Sequence, residues 1–497
     1  MLRRDFLART VSTSSWALVA PLLSTGVMDP TFAASREGSP SESTEAKLAK
    51  FALAIRYDSL PAEVVSSAKR VLLDTLGCAL GAVGSDAANI AEKTVRSTFG
   101  QGSVATVIGY PAPASVEAAL FINGVLVRSL DLNDTYIGTE PLHPSEVLPT
   151  ALALCEERKK SGRQFIEAVV AGYEASMRVT DAISYIERGF HPLCAMSYGV
   201  PLIAGKLWDL SHDAIANAVG VSAARGYTSF VVNSGAISMM KAMGLSMTAA
   251  DAVLATRLAA EGFTGPQGTL EWMATKMKPI KADFSLDLDP SNYRMTRAAF
   301  KRFPIQIELQ AVAEVGSKLS PQVKGRMQGI REIKVETYPG IIERVADAAK
   351  FRPETKGTAD HSLPVCLAMA LLDGDVTVAQ FDRERWRARD VMELVEKTSV
   401  KPGEALIAKM PKGRGASVEI VFNDGQTLRE VVEVPEGDAA RPLSQASLER
   451  KFNAFAVPAV GSATAAKIVA AVNRLDEMAD MRQLTAMLKG TGTQKFD

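Results

Sequence analysis

The sequence predicts a mainly α protein: a large all-helical bundle domain, built from both ends of the chain and interrupted by a smaller α+β domain. Three observations carry this. Apolar residues recur at helical spacing almost without a break from about residue 46 to 280. Alternating, β-branched runs are confined to a short stretch beyond residue 297. Helical spacing then returns from residue 443, in "PLSQASLERKFNAFAVPAVGSATAAKIVAAVNRLDEM". A chain of 497 residues is also too long for one ordinary core.

The first 35 residues stand apart. Arg3-Arg4-Asp5-Phe6-Leu7 precedes the apolar "WALVAPLLSTGV", with small residues at Thr31 and Ala33. That order fits a twin-arginine export signal over 1–34, cleaved around Ala33. Export in the folded state to the periplasm is the expectation. Residues 35–45, "SREGSPSESTE", read as a flexible polar lead-in. No other run has the roughly 20 apolar residues of a membrane span.

In "SLPAEVVSSAKRVLLDTLGCALGA", Pro61 suits a first helical turn, and Val64, Ala68, Val71, Leu72, Leu76 and Ala79 share one stripe. Similar stripes fall at 115–130, 145–157, 164–183, 195–208, 213–222 and 243–262. Small residues crowd "GVSAARG" and "SMTAADAVLATRLAAEG", which permits close helix–helix approach inside a bundle. The helical domain therefore takes 46–296 and 437–497, with the α+β insertion at 297–436. Within the insertion, "GIREIKVETY" (329–338) alternates as a half-buried strand. "SVEIVFNDGQTLREVVEV" (417–434) is a hairpin around Asn423-Asp424-Gly425. Helical segments at 307–319, 341–349, 362–372 and 389–398 complete it.

Lys+Arg and Asp+Glu number 56 each, so no electrostatic footprint favours nucleic acid or an anionic membrane. Cys78, Cys155, Cys194 and Cys366 are far apart, without the clustering of a zinc or iron–sulfur site, and no pairing is evident. Four histidines contain no i,i+4 pair, and no Walker loop, GxGxxG after a strand, HExxH or GxSxG is present. The expectation is chemistry by side chains alone, with no metal and no cofactor. That leaves proton transfer, elimination, isomerisation or hydrolysis.

Five places could hold it. The first is "DLNDTYIGTEPLHP" (131–144), with Asp131, Asp134, Glu140 and His143 where a polar loop meets a helix. It reads either as an Asp-rich turn with a cap or as a loop that handles protons. The second is "RGFHPLCAMSYG", where His191 precedes another helix-opening proline. Helix N-termini carry positive partial charge suited to carboxylates. The third is Lys241, alone in the apolar "SMMKAMG"; such a lysine either snorkels or meets a buried anion, and the anion is favoured. The fourth is "FKRFP", with Lys301 and Arg302, a solvated face or a pair of site cations. The fifth is Tyr338 in "ETYPG", a position more often used for packing. His212 is read as an exposed helix start and His361 as a cap. Together these groups suit a small polyanion that gains or loses a proton beside a carboxylate.

The stretches "SLDLNDTY…HPSEVLPTALALCEE", "GFHP…SYGVPLIAGKLWDLS", "SMMKAMG…ADAVLATRLAAEGFTGP", "KRFP" and "KFRPETKGTADHSLPVCLAMALLDGDV" resemble, in order, the MmgE/PrpD family. The resemblance runs from 46 to 490. It implies a helical domain with an α+β lid, and a cofactor-independent homodimer with its site between the two. The family includes 2-methylcitrate dehydratase, cis-aconitate decarboxylase and iminodisuccinate epimerase. The resemblance therefore implies a lyase or isomerase of a small di- or tricarboxylic acid, with a dehydratase expected first. An epimerase, or a periplasmic carboxylate-binding protein that does no chemistry, is the alternative. It places Asp131, His143, His191, Lys241 and Tyr338 in the catalytic set and Asp134 and Lys301 at the substrate, where Arg302 and Gln306 are expected as well. Two departures stand out. Gln306 occupies a position where dehydratase and decarboxylase members often carry histidine, and the loop before His143 is longer, with Glu140 added. Glutamine cannot act as acid or base near neutral pH.

Overall fold

The computed structural model describes residues 42–492, apart from 101, 235, 236, 282, 411 and 412. The stretch read as an export signal and most of the lead-in lie outside the described residues. The lead-in is shorter than expected at its end: Ser43 already caps helix α1 (Thr44–Ala54), and Glu45 is buried, accepting from the N–H groups of Gly268 and Thr269.

Two buried apolar clusters organise the rest. The first draws on residues 48–300 and 443–488, joined by Val378. It is built from α2 (Ala62–Gly81), α3 (Asp86–Thr98), α4 (Val116–Ser129), α5 (Leu148–Arg158), α6 (Gly162–Ala182), α7 (Met196–Leu207) and α8 (His212–Arg225). The short α9 (Met240–Met243), then α10 (Ser246–Ala260) and α11 (Thr269–Lys276) follow. α6 packs along α7, and α10 packs on α8 and α4. From the far end of the chain, helix α16 (Gln445–Val460) lies against α2. The approach is close because Gly77 carries no side chain: a Cβ there would sit 3.2 Å from Phe452 Cα. Among the described residues no single helix is long and apolar enough to cross a membrane.

Before His143 the loop pairs β1 (Tyr136–Ile137) with β2 (Pro141–Leu142). The second cluster uses residues 303–432. Its sheet runs β4 (Thr398–Pro402), β3 (Ile330–Thr337), β5 (Ala416–Phe422), β6 (Thr427–Val432), with β3 parallel to β4 and the other pairs antiparallel. Gly425, at φ 84, turns the β5–β6 hairpin. Helix α12 (Gln310–Val323) packs on α14 (Leu363–Asp373), with α13 (Pro339–Val345) and α15 (Arg389–Glu396) nearby.

Three elements differ from the sequence reading. The stripe at 243–262 is broken, because Gly244 adopts φ 45 and lies so close to Glu146 that a Cβ would meet its Oε2 at 2.2 Å. Each His-Pro step opens a 3₁₀ turn, Pro144–Val147 or Pro192–Ala195, before its helix begins. The edge strand β4 carried no readable alternation in "TSVKP", only one of whose residues is buried. The four cysteines are buried and free.

Candidate active site

The site begins where α4 ends. Asp131 takes a left-handed backbone conformation, φ 48, which aspartate tolerates better than most residues. That turn sets its carboxylate among cations from three other places. Arg128, one helical turn back, makes a short contact to Oδ1. Lys301 Nζ donates to Oδ1 at 2.8 Å and to the main-chain oxygen at 2.7 Å, while Lys241 Nζ donates to Oδ2 at 2.8 Å. Burial works to raise the Asp131 carboxyl, but Arg128, Lys241 and Lys301 outweigh it and hold it well below the usual carboxylate range. Burial lowers both lysines, Lys301 to about 8.

Around this hub is a cavity lined by Arg128, Asp131, His143, His191, Lys241, Lys301, Gln306, Arg344 and His361, among others. Counting donors shows what it offers. Lys301 spends two of three N–H groups on Asp131, and Lys241 spends one on Asp131 and one on His361. One N–H on each lysine is left for a ligand.

The two predicted histidines are held in opposite states. His143 Nδ1 lies 2.8 Å from the main-chain oxygen of Asp134, which can only accept, so Nδ1 carries the proton and Nε2 the lone pair. Burial, then Arg128 and Lys301, keep its pKa well below the ordinary value. His191 Nδ1 instead accepts from the Leu193 N–H at 3.1 Å, which puts the proton on Nε2. Its Nε2 lies 2.8 Å from the Asn233 side-chain nitrogen, while Asn233 Oδ1 is buried without a partner. Rotating that amide by 180° turns a clash of donors into an Nε2–H···Oδ1 bond. Burial pushes His191 down to about 3, so it stays neutral. His143 is an acceptor toward the cavity, and His191 a fixed donor.

Asp134 and Tyr338 stand behind the lining. Asp134 accepts from Ser145 N–H at 3.0 Å and from Tyr173 at 3.1 Å, and burial raises it to about 7. Tyr338 is buried beside Glu308. Arg302 is not at the cavity: it reaches Glu436 at 3.3 Å and lies over the Phe303 ring. Consecutive side chains leave the chain on different sides, so Lys301 turned inward sends Arg302 out. Gln306 lines the cavity with its amide committed, Oε1 accepting from Glu308 N–H at 2.6 Å and Nε2 donating to Glu308 Oε2 at 2.9 Å. Glu140 is an anchor, accepting from the N–H groups of Tyr185 and Ile186.

Sequence reasoning missed Arg128, Asn233, Arg344 and His361. His361 is no cap, since Ser362 caps α14. Instead His361 Nε2 meets Lys241 Nζ at 2.6 Å, and Nδ1 contacts Asp360. The adjacency of Asp360 and His361 just ahead of a better cap was the available signal. Asp131, Asp360 and His361 bring possible ligand atoms within 4.8 Å of one another. The Lys241 ammonium already bridges Asp131 and His361, and Asp131 meets two further cations, so this donor set suits an ammonium rather than a divalent ion.

A larger groove of about 830 Å³ runs past Tyr57, Lys69, Arg70 and Asp476. Its cations are spent, Lys69 on Asp476 and the Asn473 oxygen, and Arg70 on Gln445 and the Leu443 oxygen. The smaller cavity is the chemical one.

Residues 46–278 match the MmgE/PrpD N-terminal domain, and 303–477 match the C-terminal domain. The chain belongs to the MmgE/PrpD family. It is similar to human cis-aconitate decarboxylase, 26% identical over 88% of this chain and 92% of the relative. A cis-aconitate decarboxylase-like protein of Aspergillus oryzae is 25% identical over 91% of this chain and 99% of its own. The 2-methylcitrate dehydratase of Escherichia coli is 24% identical over 78% and 84%. The two matched domains meet across residues 279–302, the segment that delivers Lys301 to Asp131.

Proposed function

We propose that this MmgE/PrpD chain is a lyase acting on a small tricarboxylic acid of the 2-methylcitrate or aconitate kind, with dehydration as the reaction. The observation that carries the reading is the pairing of a neutral, acceptor His143 with two lysines that each keep one N–H free. Lys301 and Arg344 pair the substrate carboxylates, and Lys241 keeps one N–H for the substrate. His143 Nε2 removes the proton α to a carboxylate, and the cations steady the charge that develops there. An acceptor histidine favours abstraction before protonation, hence elimination over decarboxylation. The names of relatives at 23–26% identity, decarboxylases and dehydratases alike, support a lyase.

The test is incubation with 2-methylcitrate, citrate, cis-aconitate and iminodisuccinate in heavy water. Loss of water from a hydroxy acid is expected. Deuterium entering an α-carbon without elimination would instead make the protein an epimerase. Thermal stabilisation by these acids with neither product nor exchange would leave only a binding protein. The order of Arg3-Arg4, apolar run and small residues supports export to the periplasm, checked by N-terminal sequencing of the periplasmic protein. A homodimer is supported by the exposed Met239, Met240, Met247, Leu254, Leu258 and Phe263 around α9 and α10, and light scattering would measure it.

A further inference from the structure

The contact between Lys241 and His361 has a consequence for proton flow. Lys241 Nζ and His361 Nε2 lie 2.6 Å apart, close enough that only one of the two nitrogens can carry the proton between them. The other face of the imidazole is fixed, since Nδ1 contacts the Asp360 carboxylate and supplies the hydrogen of that bond. Asp360 and His361 come from the segment before α14, whereas Lys241 comes from α9, so the pair joins the two buried clusters.

We infer that Lys241 and His361 share a single proton, and that Asp360 and His361 position Lys241 as the proton donor to the leaving hydroxyl. This rests on the lyase reading for its substrate; the shared proton itself does not. The charged and titratable groups facing the pair are Asp131 and Arg128 at the end of α4, His191 and Lys301 on the cavity wall, and Asp360 from the lid side. Burial and Lys241 both lower the His361 pKa, while Asp360 opposes them.

The elimination balances with these groups alone. The Cα–H bond breaks and its proton passes to His143 Nε2, while its electron pair forms the C=C bond. The C–O bond breaks, and the departing oxygen takes a proton from Lys241 Nζ to become water. Lys241 is left as an amine that still donates one N–H to the neutral His361 Nε2. His143 then releases its proton and Lys241 regains one through solvent, which restores the starting state. A second carboxylate in place of His361, added to Asp131, would hold the ammonium more firmly than the neutral imidazole does.

The experiment uses full-length protein labelled with ¹⁵N in its four histidines, with His361→Gln assigning the signal of interest. At pH 7 His361 is expected as the neutral tautomer protonated on Nδ1, remaining so below pH 6.5. In Lys241→Met its titration should move up by about one unit or more, and in Asp360→Asn it should move down. On any acid that is turned over, the acid limb of kcat should follow the same shift in Asp360→Asn, which mere loss of packing would not produce. A proton on Nε2, an imidazolium at pH 7, or a titration indifferent to both substitutions overturns the shared proton. Should the nitrogen spectra hold while no acid eliminates water, the lyase reading fails and the shared proton stands.

Discussion

The two walls of the cavity treat their polar groups in opposite ways. On the helical side, Asp131 gathers Arg128, Lys241 and Lys301 from positions up to 170 residues apart, and each lysine retains a spare donor. On the lid side, Gln306, Glu308 and Arg344 satisfy one another: both ends of the Gln306 amide go to Glu308, and Arg344 Nε donates to Glu308 at 3.3 Å. One wall is wired for proton transfer and charge. The other binds itself through Glu308, apart from His361, which reaches across to Lys241, and Arg344 is its one cation at the cavity among the described residues. The contrast explains how a glutamine is accommodated at the cavity: both ends of its amide are committed to Glu308.

The hub is the first place to strike. Asp131→Asn would leave three buried cations without their shared carboxylate. Breaking a buried charge cluster from one side costs about 3–5 kcal/mol, so urea melts should show a loss of that order, together with loss of turnover. A melt unchanged within error would mean that the cations do not depend on Asp131. His143→Gln comes next. It should lower kcat by roughly 10²–10⁴ while leaving thermal stability near that of the parent, because it removes only the base.

The pH dependence of stability separates the neutral histidines from the raised carboxyls. His143, His191 and His361 all have folded values below 6.5, so the unfolded chain binds protons first and stability falls as pH drops below 6.5. Asp134 and Glu146, each near 7, act in the reverse sense: the folded state binds the proton first between about pH 7 and their ordinary values of 3.8 and 4.5. The two effects largely offset from pH 7 to 5. Below about pH 3.8 the carboxyl contribution is exhausted, and His191, neutral down to about 3, together with His143 should steepen the loss. A steady decline from pH 7 would contradict neutral histidines paired with protonated carboxyls.

On the lid wall the effects should be smaller. Arg344→Met is expected to raise KM by roughly 10- to 100-fold, the range of a charge-assisted hydrogen bond, with kcat little changed. Gln306→His should change turnover by less than about threefold, as expected of a group outside the chemistry. A large gain would show that the lid wall had lost a catalytic function.

The layout of the fold was legible because helical and strand periodicities are local, and the return of helical spacing at 443 marked the second half of the bundle. The site was legible where an unusual residue interrupts a plain pattern: Lys241 in an apolar run, or His143 and His191 before prolines. Arg128 gave no such signal, since "LVRSL" looks like an ordinary helix end; its role comes from Asp131 turning back toward it at positive φ. His361 was hidden by Ser362, which takes the cap that the histidine was expected to supply. Arg302 misled because two adjacent cations look equivalent in a sequence, whereas only Lys301 faces inward. The hydrogen bonds that settle the histidine tautomers come from main-chain groups at Asp134 and Leu193, which no side-chain pattern announces.

The most direct measurement is the fate of the α-hydrogen of 2-methylcitrate and citrate in heavy water, followed by proton NMR with the parent protein and with His143→Gln. The account predicts water loss and an unsaturated acid from the parent, with both reduced at least a hundredfold in the variant, the lower bound for a general base. Undiminished elimination in His143→Gln would contradict it.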